Sequence, residues 1–353
     1  MSDILPFLKD LLTAPGLSGY ESPAAEIISA RWKPLVHEIS RSKVGSLHGL
    51  RRGTGAEPRP ALMFATHMDA VGLMVTGIVE GFLRLTQVGG VDGRVLPGQP
   101  VTVHGCEDLP GVIIQPPTRL LPPDIGNNQP VPLEHLLVDV GLLPHKVTEL
   151  VRVGDPVSFA QPPMELTGET LAGHTVDNRA SVAALTICLE ELQTRPHTWD
   201  VWAVATVREE IGALGAYSSA FQLRPQIAIV VDTSWAKGPG ANDWNTFPLG
   251  KGPTIMWGPN IHPALHKAYK ELADRLEIPY AVEITPMHTD TDAVAIQVTA
   301  EGIPSIALGI PIRYMHTPVE VVALKDIQRA GRLMAEFVAG MEPDFMEKVT
   351  WDK

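Results

Sequence analysis

Four apolar runs in this chain each end on a carboxylate or an imidazole, and that pattern limits the folds open to it. Leu62–Ala65 runs into Thr66-His67-Met68-Asp69, and Val201–Val207 into Arg208-Glu209-Glu210. Ile227–Val231 runs into Asp232, and Ser305–Ile310 into Arg313-Tyr314-Met315-His316. Short continuous apolar runs read as strands buried on both faces. Helical patterns separate them, at Asn178–Gln193, Pro263–Leu276 and Ile327–Gly340. Strands alternating with helices predict an α/β fold with a mostly parallel sheet flanked by helices. Sites in such sheets form at the carboxyl ends of strands, so the polar groups are expected to converge, joined by Asp177 at the head of its helix.

Each residue alone has a plainer explanation. A single histidine such as His67 or His316 is most often a hydrogen-bonded core residue. Asp177 is a natural helix N-cap, Glu209-Glu210 reads as solvated loop charge, and Asp232 reads as the start of a turn. Taken together they are harder to explain this way. Carboxylates packed against apolar strands without compensation are costly, and a pair of divalent cations would offset that cost. Two imidazoles and three carboxylates without a thiolate suit Zn²⁺, with Co²⁺ or Mn²⁺ as alternatives. Two cations ~3.5–4 Å apart activate a water and polarise a carbonyl, which is hydrolytic chemistry. Such chemistry needs an unligated base. Neighbouring side chains diverge, so one of Glu209 and Glu210 can ligate while the other faces the water. Asp69, two residues past His67, is positioned to orient that imidazole.

The rest of the chain divides by texture. Residues 1–70 carry helical patterns at Ile4–Leu12 and Pro23–Trp32 and lead into the first buried run. Residues 71–165 lose the helical signals. They read as a small all-β unit with strands at Leu73–Val79, Phe82–Val88, Pro100–Val103, Gly111–Ile114, Leu136–Val140 and Pro156–Phe159. Residues 166–353 return to alternating helix and strand. A net charge of −12 argues against nucleic-acid and anionic membrane partners. The start Met1-Ser2-Asp3-Ile4-Leu5-Pro6 has no signal-peptide pattern. Two isolated cysteines, Cys106 and Cys188, suit a reducing compartment and read as small buried hydrophobes. The expected location is cytoplasmic.

Six segments, in order, resemble the dodecameric tetrahedral (TET) aminopeptidases, a family of dinuclear metallopeptidases. They are Ala14-Pro15-Gly16-Leu17-Ser18-Gly19-Tyr20-Glu21, His67-Met68-Asp69-Ala70-Val71-Gly72, Val176-Asp177-Asn178-Arg179, Glu209-Glu210-Ile211-Gly212-Ala213-Leu214-Gly215-Ala216, Val231-Asp232 and Tyr314-Met315-His316-Thr317-Pro318-Val319-Glu320. The resemblance implies that Asp177 bridges two divalent metal ions, one completed by His67 and Asp232, the other by Glu210 and His316. It makes Glu209 the general base and acid and Asp69 the support of His67. It also implies a homo-oligomer, a dodecamer built from dimers through the inserted β unit, acting on peptides with a free N-terminus.

The sequence departs from the family at Ala70, after Asp232, and in Met287-His288-Thr289-Asp290-Thr291-Asp292-Ala293, so specificity does not carry over. His288 is a tentative substrate contact, and His174 reads as local. No charged pocket residue stands out, which leans the expectation towards neutral, apolar N-terminal side chains. The rival readings are a deacylase or carboxypeptidase of the same superfamily, a glycosidase acting through two carboxylates, and a catalytically dead peptide-binding shell.

Overall fold

The computed structural model describes residues 3–122, 125 and 130–351. Met1 and Ser2, with which the reading of the chain's start begins, lie outside the described residues.

The apolar runs become the centre of a large mixed sheet. Ala61–His67 lies parallel to Asp200–Thr206 on one side and to Ile227–Trp235 on the other, and Ile227–Trp235 lies parallel to Ser305–Arg313. Antiparallel strands extend both margins. Leu47–Arg51 and Glu38–Arg41 continue beyond Asp200–Thr206; Glu320–Ala323, Thr170–Gly173 and Met164–Leu166 continue beyond Ser305–Arg313. Thr254–Trp257 also pairs antiparallel with Ser305–Arg313 and carries Ala281–Ile284 parallel to itself. The apolar run at residue 227 therefore extends through Asp232 to Trp235, and Asp232 sits within the strand rather than after it.

Helix Val176–Glu191 is buried along nearly its whole length, which its Ala, Ser and Val residues permit. Helix Leu324–Ala339, with a strongly one-sided apolar face, belongs to the same core. Trp32, Trp199 and Phe64 are among the largest fully buried side chains of this core.

A second core fills a closed antiparallel barrel in the order Gly72–Val79, Phe82–Val88, Leu137–Asp139, Asp108–Ile114, Pro100–His104 and Pro156–Phe159. Leu73, Leu85, Val103, Ile113, Val138 and Val157 point into it, and closure leaves no open strand edge. This block also contains a helix, Pro144–Leu150, opened by a proline in its first turn. Seven residues with one buried side chain, Val147, are too few to show a helical period, so no helix is legible there. Cys188 is buried as expected, but Cys106 is exposed. Among the described residues no helix is long and apolar enough to cross a membrane.

Candidate metal centre

The parallel register brings the polar strand ends together. Thr206 pairs with His67, which places the Arg208-Glu209-Glu210 turn beside that imidazole. Arg208 turns the chain there with φ at 57°. Asp232 lies one strand over, opposite Gly309. His316 follows the last parallel strand in a turn where both it and Tyr314 have positive φ. Asp177 reaches the same point from the head of its helix. Its φ/ψ of −79°/107° is not helical, and no side chain caps this helix. The carboxylate faces the two histidines instead.

Two donor sets result, sharing Asp177. His67, Asp177 and Asp232 offer donor atoms within 4.8 Å of one another, and so do Asp177, Glu210 and His316. His67 Nε2 lies 3.3 Å from Asp177 Oδ1 and 3.4 Å from Asp232 Oδ1. His316 Nε2 lies 3.5 Å from Asp177 Oδ2 and 3.4 Å from Glu210 Oε2. Among the described residues, Asp177 Oδ1 and Glu210 Oε1 are buried with no hydrogen-bond donor. Lone pairs converging in a buried space without protons between them are costly unless a cation lies among them. The residues fit a pair of divalent ions.

The electrostatics show the same crowding. Burial, with the Asp177 charge adding to it, pushes the Glu210 carboxyl up to about 8. Burial opposes a charged His316, but the Asp177 and Glu210 carboxylates outweigh it and hold the imidazole at about 9. Glu209 is raised well above the carboxylate range by burial, opposed by the His67 charge and reinforced by Asp232 and Asp292. Asp177 goes the other way, because the His316 and His67 contacts overcome its burial.

Glu209 and Glu210 diverge. Glu210 faces His316, whereas Glu209 belongs to neither donor set and its Oε2 stands 3.9 Å from His67 Nε2. Asp69 faces more than His67. His67 Nδ1 is hydrogen-bonded to the Asp69 main-chain carbonyl at 3.1 Å, with the carboxylate at 3.5 Å. That carboxylate accepts the backbone N–H of Glu209 at 3.0 Å and of Glu210 at 3.3 Å, and the Ser18 hydroxyl at 2.6 Å. It therefore holds the Glu209-Glu210 turn as well as facing the imidazole.

Sequence reasoning gave no role to several supporting groups. Glu320 accepts the N–H groups of Asp177 and His316. Asp292 is buried behind the site, bonded by Thr206 Oγ1, and burial lifts it to about 7. The barrel contributes a loop, in which a Cβ on Gly90 would lie 3.2 Å from His316 Nδ1. The Ser18 and Glu320 positions left a trace as members of the quoted motifs, and Asp292 as one residue of the loop that departs from the family.

A cleft of about 850 Å³ opens over both donor sets and is lined in part by Trp235, Trp244, Met256, Met287 and Thr289. His288 lies on its exposed rim, 3.5 Å from Asp290. His174 stays outside it, buried edge-on against Phe159 at 4.9 Å, where burial and the Arg179 charge depress it to about 3.

A parallel sheet core with acids and imidazoles gathered in two overlapping sets at its carboxyl edge defines a metal-dependent hydrolase. The model of the M42 glutamyl aminopeptidase family matches residues 45–333. The chain belongs to that family, and it is a metalloaminopeptidase. A lysyl aminopeptidase of Pyrococcus furiosus is 32% identical over 95% of this chain and 97% of that relative. An aminopeptidase from Desulfurococcus kamchatkensis superposes with a TM-score of 0.91 at 30% identity, covering 98% of this chain and 97% of that one. The Pyrococcus horikoshii TET1 peptidase, described as assembling into a tetrahedron or a large octahedral shell, gives 0.83 at 29% identity, with 96% and 100% covered.

Proposed function

We propose that this enzyme removes N-terminal residues from peptides with two divalent ions, Zn²⁺ by preference or Co²⁺ or Mn²⁺, in the His67–Asp177–Asp232 and Asp177–Glu210–His316 sets. The observation that carries this reading is the shared Asp177, with Glu209 beside the paired sets and outside both. Bound there, such ions supply Lewis-acid polarisation of the scissile carbonyl and lower the pKa of an attacking water. Glu209, whose carboxyl is raised by burial well above the carboxylate range, is the base that takes the water's proton and returns it to the leaving amine. Asp69 positions Glu209 through its backbone N–H. The free α-amino group is received in the acidic cleft, with His288 at the rim as a substrate contact.

We further propose that residues 71–165 form a dimerisation domain inserted between the two parts of a catalytic domain, 1–70 and 166–353, and that the dimers assemble into a dodecamer. Two observations support assembly. The barrel exposes Leu143 and Val153, and helix Leu214–Leu223 exposes Leu214, Tyr217 and Phe221 along one stripe. Apolar side chains grouped along one helix face mark an interaction face. A cytoplasmic location is in keeping with two unpaired cysteines.

The test is hydrolysis of amino-acyl p-nitroanilides with EDTA and with Zn²⁺, Co²⁺ or Mn²⁺ restored. Metal-restored cleavage of free-amine substrates, absent for N-acetylated ones, is the expected result. Cleavage of blocked substrates would favour the deacylase or carboxypeptidase reading. Chelator-indifferent cleavage of glycosides would favour the glycosidase. Inactivity with every metal would leave a binding shell.

A further inference from the structure

The wall of the cleft beyond the donor sets carries one more fixed acid. Strand Ile227–Trp235 supplies Asp232, and side-chain alternation puts Ser234 on the same face, about 7 Å further along. The Ser234 hydroxyl donates to Glu283 Oε2 at 2.5 Å, and Thr254 Oγ1 reaches the same oxygen at 2.6 Å. Thr254 and Glu283 sit on the paired strands Thr254–Trp257 and Ala281–Ile284, so all three groups stand on the sheet. Gly309 makes the arrangement possible. A Cβ there would stand 1.7 Å from Ser234 Oγ and 2.4 Å from Thr254 Oγ1.

Glu283 is therefore anchored through one oxygen. Among the described residues its other oxygen has no hydrogen-bond or ion-pair partner, and the side chain lines the cleft. Burial raises the Glu283 carboxyl above its ordinary value and the Ser234 and Thr254 hydroxyl donors oppose that rise, so a cation at the free oxygen would favour the charged form. Apolar side chains line the same cleft, among them Met256, which is paired with Glu283 across the strands, and Met287. No lysine or arginine is among the described lining residues. A cleft that combines apolar side chains with a carboxylate holding one free oxygen matches a side chain with a methylene stem and a cationic tip.

We propose that Glu283 closes the subsite for the N-terminal side chain and selects peptides that begin with Lys or Arg. This rests on the aminopeptidase reading above, and it replaces the neutral, apolar preference to which the sequence leaned.

The test compares lysyl, arginyl, norleucyl and glutamyl p-nitroanilides on the metal-loaded enzyme and on Glu283→Gln, which keeps an acceptor for both hydroxyls. Norleucine matches lysine without the ammonium group. A charge-assisted contact predicts lysyl and arginyl substrates ahead of norleucyl by about 10–100-fold in kcat/KM, with glutamyl last. Glu283→Gln should collapse the lysyl-to-norleucyl ratio, and Glu283→Asp should restore part of it. Equal cleavage of lysyl and norleucyl substrates by the wild type overturns the proposal. So does a Glu283→Gln variant that slows all side chains alike, since Glu283 would then hold the α-amine. Titration calorimetry with lysinamide and norleucinamide reads the subsite without turnover. Preferential lysinamide binding that is lost in Glu283→Gln upholds the subsite even if no substrate is cleaved, in which case only the catalytic reading falls. Equal binding of the two amides overturns the subsite.

Discussion

Glu320 accepts the backbone N–H of Asp177 at 2.9 Å across 143 residues of chain, which ties the helix head to the strand beside it. Its other oxygen accepts the His316 N–H at 2.7 Å. One buried carboxylate thus sets the backbone of a residue from each donor set. Glu320→Ala strands two N–H groups, a cost of about 1–3 kcal/mol each when they stay buried. The expected outcome is a lower Tm together with reduced metal content by plasma emission spectroscopy. Glu320→Gln, which keeps one strong acceptor, should fall between the wild type and Glu320→Ala. Full metal content in a folded Glu320→Ala protein would contradict this positioning role.

Glu209 and Glu210 are neighbours with separable roles. Glu209→Gln is expected to lower kcat by at least ~10²-fold while keeping both metals. Glu210→Ala is expected to lose metal, with activity falling as a consequence. The check is metal content measured alongside single-substrate kinetics, and full occupancy in Glu210→Ala would reverse the assignment.

Metal uptake should release protons. Without metal, Glu210 at about 8 and His316 at about 9 both titrate above neutral pH, so this pair holds protons at pH 7. Ligation needs the carboxylate and the neutral imidazole, so affinity should rise with pH through that range. Calorimetry at pH 7 in buffers of different ionisation enthalpy should show net proton release on Zn²⁺ binding. Chelation should lower Tm by the linked loss of binding free energy, about 2.7 kcal/mol when free metal is 100-fold above Kd. Proton uptake on binding would refute the account.

His48 offers a pH signature away from the site. It is buried, with Nε2 against Ser219 Oγ at 2.9 Å and Nδ1 without a partner among the described residues. Burial depresses it to about 4 from its usual 6.5. Between those values the unfolded chain binds the proton and the folded protein does not, so stability falls as the pH drops from 6.5 towards 4. The full effect is about 3 kcal/mol. Urea denaturation across this range should show a shallower slope in His48→Leu than in the wild type. Identical slopes would exclude His48 as a source of acid lability.

The parts of the site carried by continuous apolar runs were legible in the sequence, because a strand buried on both faces leaves an unbroken hydrophobic signature with its polar end in plain view. His67, Asp232, His316 and the Glu209-Glu210 turn were found that way. Asp177, at the head of its helix, came together with them once a parallel sheet was assumed. Groups that act through tertiary proximity left no such mark. Glu320 and Asp292 fall inside quoted segments and Glu283 in an ordinary one, but for all three only the tertiary arrangement reveals what they touch. The division of labour at Asp69 depended on which of its oxygens faces which donor, and spacing does not determine that. Helix Pro144–Leu150 was missed because two turns are too short for a period to register.

The interleaving of barrel and sheet bears on the order in which the chain can acquire structure. Strand Ala61–His67 finds its neighbours only at Asp200–Thr206 and Ile227–Trp235, so sheet closure must wait for distant chain. The barrel recruits all its strands between Gly72 and Phe159. Local contacts close faster than distant ones. During synthesis the barrel therefore stands to form first, and the strand bearing His67 waits unpaired beside it until the later strands emerge.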